Sequence, residues 1–306
     1  MDIKALASFK ALADPTRLRI LHLLLERELN VNEVVSILDI GQSGISRHLK
    51  ILADSGLVRC RKDGLWSFYS ADADGEQAAL LRLLPHIMAG EPQLREDEKT
   101  AARIIARREK ETRRLFDSLA PRWEEMKREI LGGFELNKAI ADRVPKTGTA
   151  ADLGCGTGDF LEELARRAHK VIGVDASPEM IRAARERFAE HNGAVEVRMG
   201  EFEHLPLADG EVDAAICNMV LHHLPDPRRG LAEVARALKP GGRFILADFQ
   251  SHEDETLRTR YGDRRLGFSP KTVETWLGKA GFAHMIMEKH PVNRNLTVLV
   301  FSAEKK

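Results

Sequence analysis

The 306-residue chain is short of cysteine, of long apolar runs and of net charge, and each shortage removes a class of protein. Its three cysteines, Cys60, Cys155 and Cys217, stand far apart with no CxxC pair and no Cys/His cluster. A disulfide framework and a structural zinc site are therefore not expected, and no metal is expected. No stretch approaches the roughly 18 consecutive apolar residues of a membrane span. The opening MDIKALASFKALADPTR has no apolar signal core, so a cytoplasmic protein with no membrane partner is expected. Formal net charge is zero, so nothing in the total points to nucleic acid. What the chain does have is 43% hydrophobic and 31% charged residues, material for about two domains of ~100–200 residues each.

Charge is uneven within that neutral total. Between 42 and 70, Arg47, Lys50, Arg59, Arg61 and Lys62 face only Asp54 and Asp63. A second basic stretch, 103–128, reads as the solvated face of a helix. Residues 1–90 predict short helices followed by a hairpin. In LRILHLLLE the apolar residues recur at helical spacing, and Asp14-Pro15 supplies an N-cap and a first-turn proline. VNEVVSILDI predicts a second helix stopped by Gly41, and Gln42 to Ser55 a third stopped by Gly56. LVRCRK and LWSFYS flank Asp63-Gly64, a pair that favours a tight type I′ hairpin.

The third helix divides as a major-groove reader must. Gln42, Ser43, Gly44, Ser46, Arg47 and His48 fill its opening turns and Lys50 follows, while Ile45, Leu49 and Leu52 take the inward positions. Arg59, Arg61 and Lys62 on the hairpin suit phosphates or the neighbouring minor groove. DPTRLRILHLLL, GQSGISRHLKILADSGLV and the Asp63-Gly64 wing together resemble an ArsR-type winged helix-turn-helix repressor over about residues 3–90. The resemblance implies an α+β fold and a homodimer paired through the first helix and the helix near Glu76–Met88. It also implies a double-stranded palindromic operator with half-sites about one helical turn apart. Metal-sensing members place cysteines in the helix before the turn, where this chain reads Leu29-Asn30-Val31-Asn32-Glu33-Val34. Metal sensing there is not expected, and another input signal is needed.

Residues 91–145 are highly charged and helical in pattern, broken by Pro121 and Gly132-Gly133. They are expected as a linker and cap between a DNA-binding domain over 1–90 and a second domain over 146–306. In that second domain the short apolar runs TAADLG, VIGVD, DAAICN and RFILAD alternate with helical stretches, which predicts a parallel sheet covered on both faces. The tail, AHMIMEKHPVNRNLTVLVFSAEK, predicts two strands joined by a turn.

TAADLG runs into Asp152-Leu153-Gly154-Cys155-Gly156-Thr157-Gly158, glycines that allow a tight turn and close approach of a ligand to backbone. Seventeen residues beyond Gly158, VIGVD ends in Asp175, placed to accept hydrogen bonds from ribose hydroxyls. Asp159 stands where a dinucleotide site wants its third glycine, and an anion there suits a pyrophosphate poorly. S-adenosylmethionine (SAM), which has no phosphate, tolerates it; NAD is the weaker alternative. DLGCGTG, VIGVDAS, ICNMVLHHL and LKPGGRFIL resemble a class I SAM-dependent methyltransferase over about 115–306. The resemblance implies an α/β Rossmann-like fold, a mostly parallel seven-stranded sheet with an antiparallel C-terminal hairpin. It implies SAM or S-adenosylhomocysteine (SAH) held by Asp152, Gly154, Cys155, Gly156, Gly158, Asp175 and Asn218. Ala176, Met180, Glu201 and Phe202 would surround the adenine. In FDSLAPRWEEM, Phe116 and Trp123 stand where an aromatic closes over the methionine end; the alternative for Trp123, a core anchor for the linker helices, is the weaker.

His222 and His223 are weak candidates for catalytic groups, and one of the two rings is expected to pack. The chain has Asn218-Met219-Val220-Leu221 where DNA amino-methyltransferases carry an Asn-Pro-Pro-Tyr type motif, so methylation of DNA bases is not expected. Cys155 and Cys217 do not make the cysteine set of an arsenic methyltransferase. Two functions remain. In the first, a repressor takes SAH or SAM as effector; fusions of this layout resemble SAH-responsive regulators of methionine-cycle genes. In the second, the C-terminal domain methylates a small molecule and the winged helix autoregulates its expression. Intact ligand motifs without a recognisable base favour the first.

Overall fold

In the computed structural model, residues 3–119, 122–189 and 194–306 are described. The chain divides into two compact units, residues 1–111 and 112–306. The stretch 91–145, expected between domains, supplies helices to both.

The first unit runs α1 (Ile3–Leu12), α2 (Pro15–Glu26), β1 (Leu29–Asn30), α3 (Val31–Leu38), α4 (Gln42–Asp54), β2 (Val58–Asp63), β3 (Trp66–Ala71), α5 (Ala78–Ile87) and the greater part of α6 (Pro92–Leu119). Asp14 caps α2 by accepting the Arg17 N–H, with Pro15 in the first turn. Asn30 and Glu33 close a reciprocal capping box on α3. That helix ends at Asp39 in the left-handed region, φ 55°, two residues before the expected glycine stop. β1, which the sequence did not announce, pairs antiparallel with β3, so Asn30 serves a strand and a helix cap at once. The hairpin is in register with Asp63 opposite Trp66, and Gly64 at φ 55° takes a turn position that an L side chain adopts with strain. Ile20, Leu24, Ile45, Leu49 and Leu52 form its dry centre, each worth roughly 1.5–3 kcal/mol of burial.

The second unit follows with α7 (Trp123–Leu131), α8 (Leu136–Ala141), β4 (Thr147–Leu153), α9 (Leu161–Ala165), β5 (Ala168–Asp175), α10 (Pro178–Arg187), β6 (Val195–Met199), β7 (Val212–Asn218), α11 (Pro227–Ala237), β8 (Leu238–Phe249), α12 (Glu255–Tyr261), α13 (Pro270–Lys279), β9 (Phe282–Pro291) and β10 (Thr297–Lys305). Its seven-stranded sheet has the order β6-β5-β4-β7-β8-β10-β9. The first five are parallel, and β10 runs antiparallel between β8 and β9. Side chains alternate across the sheet, as strand geometry demands. Ala151, Leu153, Ala215 and Cys217 pack into one core, and Ala150, Val171, Ala214 and Ile216 into the other. Successive strands step outward in opposite directions from β4, so a crevice opens beyond its carboxyl end, where sheets of this kind bind ligands. Among the described residues no helix is long and apolar enough to cross a membrane.

Candidate functional site

On α4 the expected division holds. Gln42, Ser43, Ser46, Arg47 and Lys50 are exposed, Gly44 and His48 are half-buried, and Ile45, Leu49 and Leu52 are fully buried. His48 leans toward Asp14, with Nδ1 3.9 Å from the carboxylate. Gly41 gives α4 no side-chain cap, so its first backbone N–H groups receive no side-chain acceptor, as suits a helix that meets phosphates. On the wing, Arg59 and Lys62 are exposed, and Arg59 donates to the Ser70 hydroxyl at 3.0 Å. Arg61 is arranged differently. Its guanidinium donates two bonds to Glu28, at 3.1 and 3.0 Å, pairs with Asp63 and lies 4.6 Å over the Phe68 ring. That side chain clamps the wing to the loop before β1, and its donors are spent within the unit.

In the second unit, β4 delivers the glycine loop. Gly154, Gly156 and Gly158 have φ of 83°, 55° and 82°. A Cβ on Gly154 would lie 2.3 Å from Val220 Cγ2, so only glycine fits beneath β7's following turn. The N–H groups of Gly154 and Cys155 both donate to the Val174 carbonyl, tying the loop to β5. Asp175 accepts the N–H of Gly156 at 2.9 Å and of Ser177 at 2.8 Å. Burial raises its pKa against the pull of those backbone bonds. Each carboxylate oxygen keeps a lone pair, so ribose hydroxyls can still be accepted.

Asp152 is the more telling group. It is 2% exposed and its Oδ1 is buried with no hydrogen-bond partner among the described residues. Burial, with the Asp159 carboxylate adding repulsion against the opposing Lys127 ammonium, pushes its pKa up to about 8. A buried carboxyl with an unmet oxygen is a socket for a cation, and the ammonium of SAM or SAH is one. Asn218 Oδ1 is also buried and unmet, while its amide donates to Asn137 Oδ1 at 3.1 Å. Asp159 stands two residues before α9, a single short turn, and its carboxylate takes Lys127 and Asn137. Asp152, Gly154, Cys155 and Asn218 line one cavity, whose apolar wall includes Met126, Ile130 and Leu131 of α7. The residues fit an adenosyl amino acid.

The remaining expected site residues fall elsewhere. Gly156 and Gly158 belong to the loop itself, Asp175 and Ala176 stand at the end of β5 and Met180 on α10, and none of the five lines the cavity. Glu201 is exposed, and Phe202 is buried against Gly230, where a Cβ would sit 2.7 Å from its ring. The side chains of Trp123 and Phe116 lie outside the described residues. Burial pushes the thiols of Cys155 and Cys217 well above the ordinary value, and the two belong to opposite cores. Both are poor nucleophiles.

His222 and His223 sit in the short 3₁₀ turn after β7 and line the same cavity as Asp152. Sequence reasoning missed their partners. Asp248, near the end of β8, holds the His222 ring at Nδ1 (2.8 Å) and accepts its backbone N–H at Oδ2 (3.1 Å). Asp263 follows Gly262, whose φ of 76° ends α12, and lies 3.6 Å from His222 Nε2. Burial depresses an imidazole, yet Asp248 and Asp263 outweigh it and raise the His222 pKa to about 9. Burial raises Asp263 to about 6, with His222 opposing. His223, desolvated and beside His222, is held well below the ordinary value. The available signal for Asp248 was a lone carboxylate inside the apolar run FILADF.

Comparison with known proteins agrees with both halves. Residues 14–59 match the family described as bacterial regulatory protein, arsR family, and residues 151–246 match the methyltransferase domain. A demethylmenaquinone methyltransferase of Desulfitobacterium hafniense is 30% identical over 174 residues, covering 54% of this chain and 69% of that protein. The chain belongs to the methyltransferases. Ahead of that methyltransferase domain it carries an arsR-family one. An arsenite methyltransferase of Halobacterium salinarum is 43% identical over 116 residues, 36% of this chain and 29% of that protein. The chain spans under half the length of several curated relatives that it matches. A methyltransferase from Haloferax volcanii, solved with the Trm112 activator, shares the fold at a TM-score of 0.53 and 23% identity, covering 62% of this chain and 96% of that one.

Proposed function

We propose that the methyltransferase unit binds SAM in the cavity at Asp152 and methylates a small apolar molecule, while the arsR-type unit binds a palindromic operator as a homodimer. SAM, when bound, supplies an electrophilic methyl group on a sulfonium. Asp152 takes the ligand's ammonium, Asp175 its ribose hydroxyls, and the loop from Gly154 to Gly158 lets the nucleoside lie against backbone. Met126, Ile130 and Leu131 exclude water from the side on which an acceptor enters.

One observation carries the preference for turnover. The sensor reading leaned on the lack of a recognisable acceptor-side group, and His222, fixed by Asp248 and faced by Asp263, lines the cavity that holds Asp152 as an imidazolium able to orient an acceptor oxygen. The apolar wall and the Desulfitobacterium relative make a demethylmenaquinone-type ring the first acceptor to try. Arsenite is disfavoured because the two buried thiols lie on opposite faces of the sheet.

A repressor that reads SAH or SAM as effector, controlling methionine-cycle genes, is the second reading. It is favoured by α6, a single helix beginning in the DNA-binding unit whose Asp117 accepts the Ser177 hydroxyl at 2.5 Å, two residues from Asp175. Ligand at Asp175 would act on DNA only through unequal affinity for two states of that helix. An operator gel shift with SAM, SAH and no ligand, beside a methyl-transfer assay on the same preparation, decides between them. Turnover with a shift indifferent to ligand supports the enzyme; a ligand-dependent shift without turnover overturns it in favour of the sensor.

A further inference from the structure

We infer that His222, His223 and Asp263 form a binding site for a first-row divalent metal ion, opening onto the cavity beside Asp152. Two imidazoles and one carboxylate can each offer one ligand atom, and these atoms all lie within 4.8 Å of one another. His222 Nε2 and His223 Nδ1 stand 3.6 and 3.9 Å from the same Asp263 oxygen. Ligands bound at about 2.0–2.2 Å in tetrahedral array are ~3.4 Å apart, so the two separations to Asp263 need to close by only a few tenths of an ångström, and the widest pair, within 4.8 Å, by a side-chain rotation of about 1 Å.

Three further features distinguish it from a chance ion pair. Asp263 is 3% exposed, lines the cavity, and its Oδ2 is buried without a hydrogen-bond partner among the described residues. A buried unmet carboxylate oxygen calls for a cation. Asp248 holds His222 at Nδ1 and so turns Nε2 toward the cluster, the carboxylate–histidine arrangement that orients metal-bound imidazoles. The backbone around the cluster is fixed in advance: the N–H groups of Arg264 and Arg265 donate to the His222 carbonyl, and Arg258 donates to the carbonyls of Asp263 and Arg264. Two histidines and a carboxylate leave coordination positions open, and all three residues line the cavity, from which an oxygen of an acceptor would reach the ion. Nitrogen-rich ligation of this kind suits zinc, cobalt or iron better than magnesium or calcium. The assignment stands on these residues and does not depend on turnover.

The test uses the untagged full chain, stripped with chelator and dialysed against Zn²⁺ or Co²⁺. About one ion per chain is expected by elemental analysis, with the visible absorption of a histidine-bound, low-symmetry cobalt centre. Asp263→Asn and His223→Ala should each abolish the spectrum and the stoichiometric ion, while SAH binding by calorimetry and the melting curve report that the fold survives. Cys60→Ser should keep the ion, since that exposed thiol is the obvious adventitious ligand. Failure of the parent chain to hold an ion, or an ion retained by both Asp263→Asn and His223→Ala, would overturn the assignment and leave an internal His–Asp ion pair.

Discussion

On α4, Arg47 and Lys50 stand in solvent above a dry seam of Ile45, Leu49 and Leu52. In the methyltransferase unit, Asp152, His222 and Asp263 are 2 to 3% exposed and their proton affinities are displaced from the ordinary values. The two units thus prepare for their partners in opposite ways. A surface donor costs the fold nothing before a partner arrives, so removing it is expected to cost recognition and leave the fold alone. A buried carboxyl is kept at a cost to the unliganded fold, and a cationic ligand offsets that cost when it binds.

The largest effect expected from breaking this comparison is on DNA. Arg47→Ala should abolish specific operator binding, since each bidentate pair with a base edge is worth roughly 1–3 kcal/mol of discrimination, with SAH affinity unchanged by calorimetry. Loss of both together would point to a folding defect or a wrong assignment of the helix. Gly154→Ala should do the converse. Its Cβ would collide with Val220 at a φ of 83°, strain worth about 1–3 kcal/mol, so SAH binding should vanish and operator binding in a gel shift should persist.

Asp152 sharpens the contrast through pH. Its folded pKa of about 8 lies above the ordinary 3.8. The unliganded fold therefore holds a proton that the unfolded chain has lost, and this group's contribution to stability falls as pH rises through that window. Ligand ammonium needs the ionised form, so SAH affinity should rise by up to ~10-fold per pH unit between pH 6 and 8, then level off. A flat profile, or the same profile in Asp152→Asn, would remove Asp152 from the site. Asp175→Ala should weaken SAM and SAH by roughly 1–3 kcal/mol through the missing charge-assisted bonds. Arg61→Ala should have the smallest effect on DNA. Its charge is committed to Glu28 and Asp63, so operator affinity should hold while thermal stability drops by about 0.5–1 kcal/mol, discounted for its partial exposure.

Local signals carried most of this fold. Asp14-Pro15 and Asp63-Gly64 specify a cap and a turn through their own backbone preferences, and alternating apolar runs specify a parallel sheet. The same holds for Asp152 and the glycine loop, where chemistry sits on contiguous residues. What stayed hidden depends on partners distant in the chain. Arg61 looks like a phosphate ligand until Glu28, thirty-three residues earlier, takes it. Asp248 and Asp263 meet His222 only because β7 and β8 are neighbours in the sheet and Gly262 turns the chain back. Phe202 beside Glu201 has no sequence mark telling that it fills the core against Gly230.

The most direct measurement is a titration of SAH into the full chain at pH 7, repeated in two buffers of different ionisation enthalpy. Saturable binding with release of close to one proton, abolished in Asp152→Asn, is the expected result. Saturable binding that releases no proton, or no binding at all, would contradict the assignment of Asp152 as the seat of the ligand's ammonium.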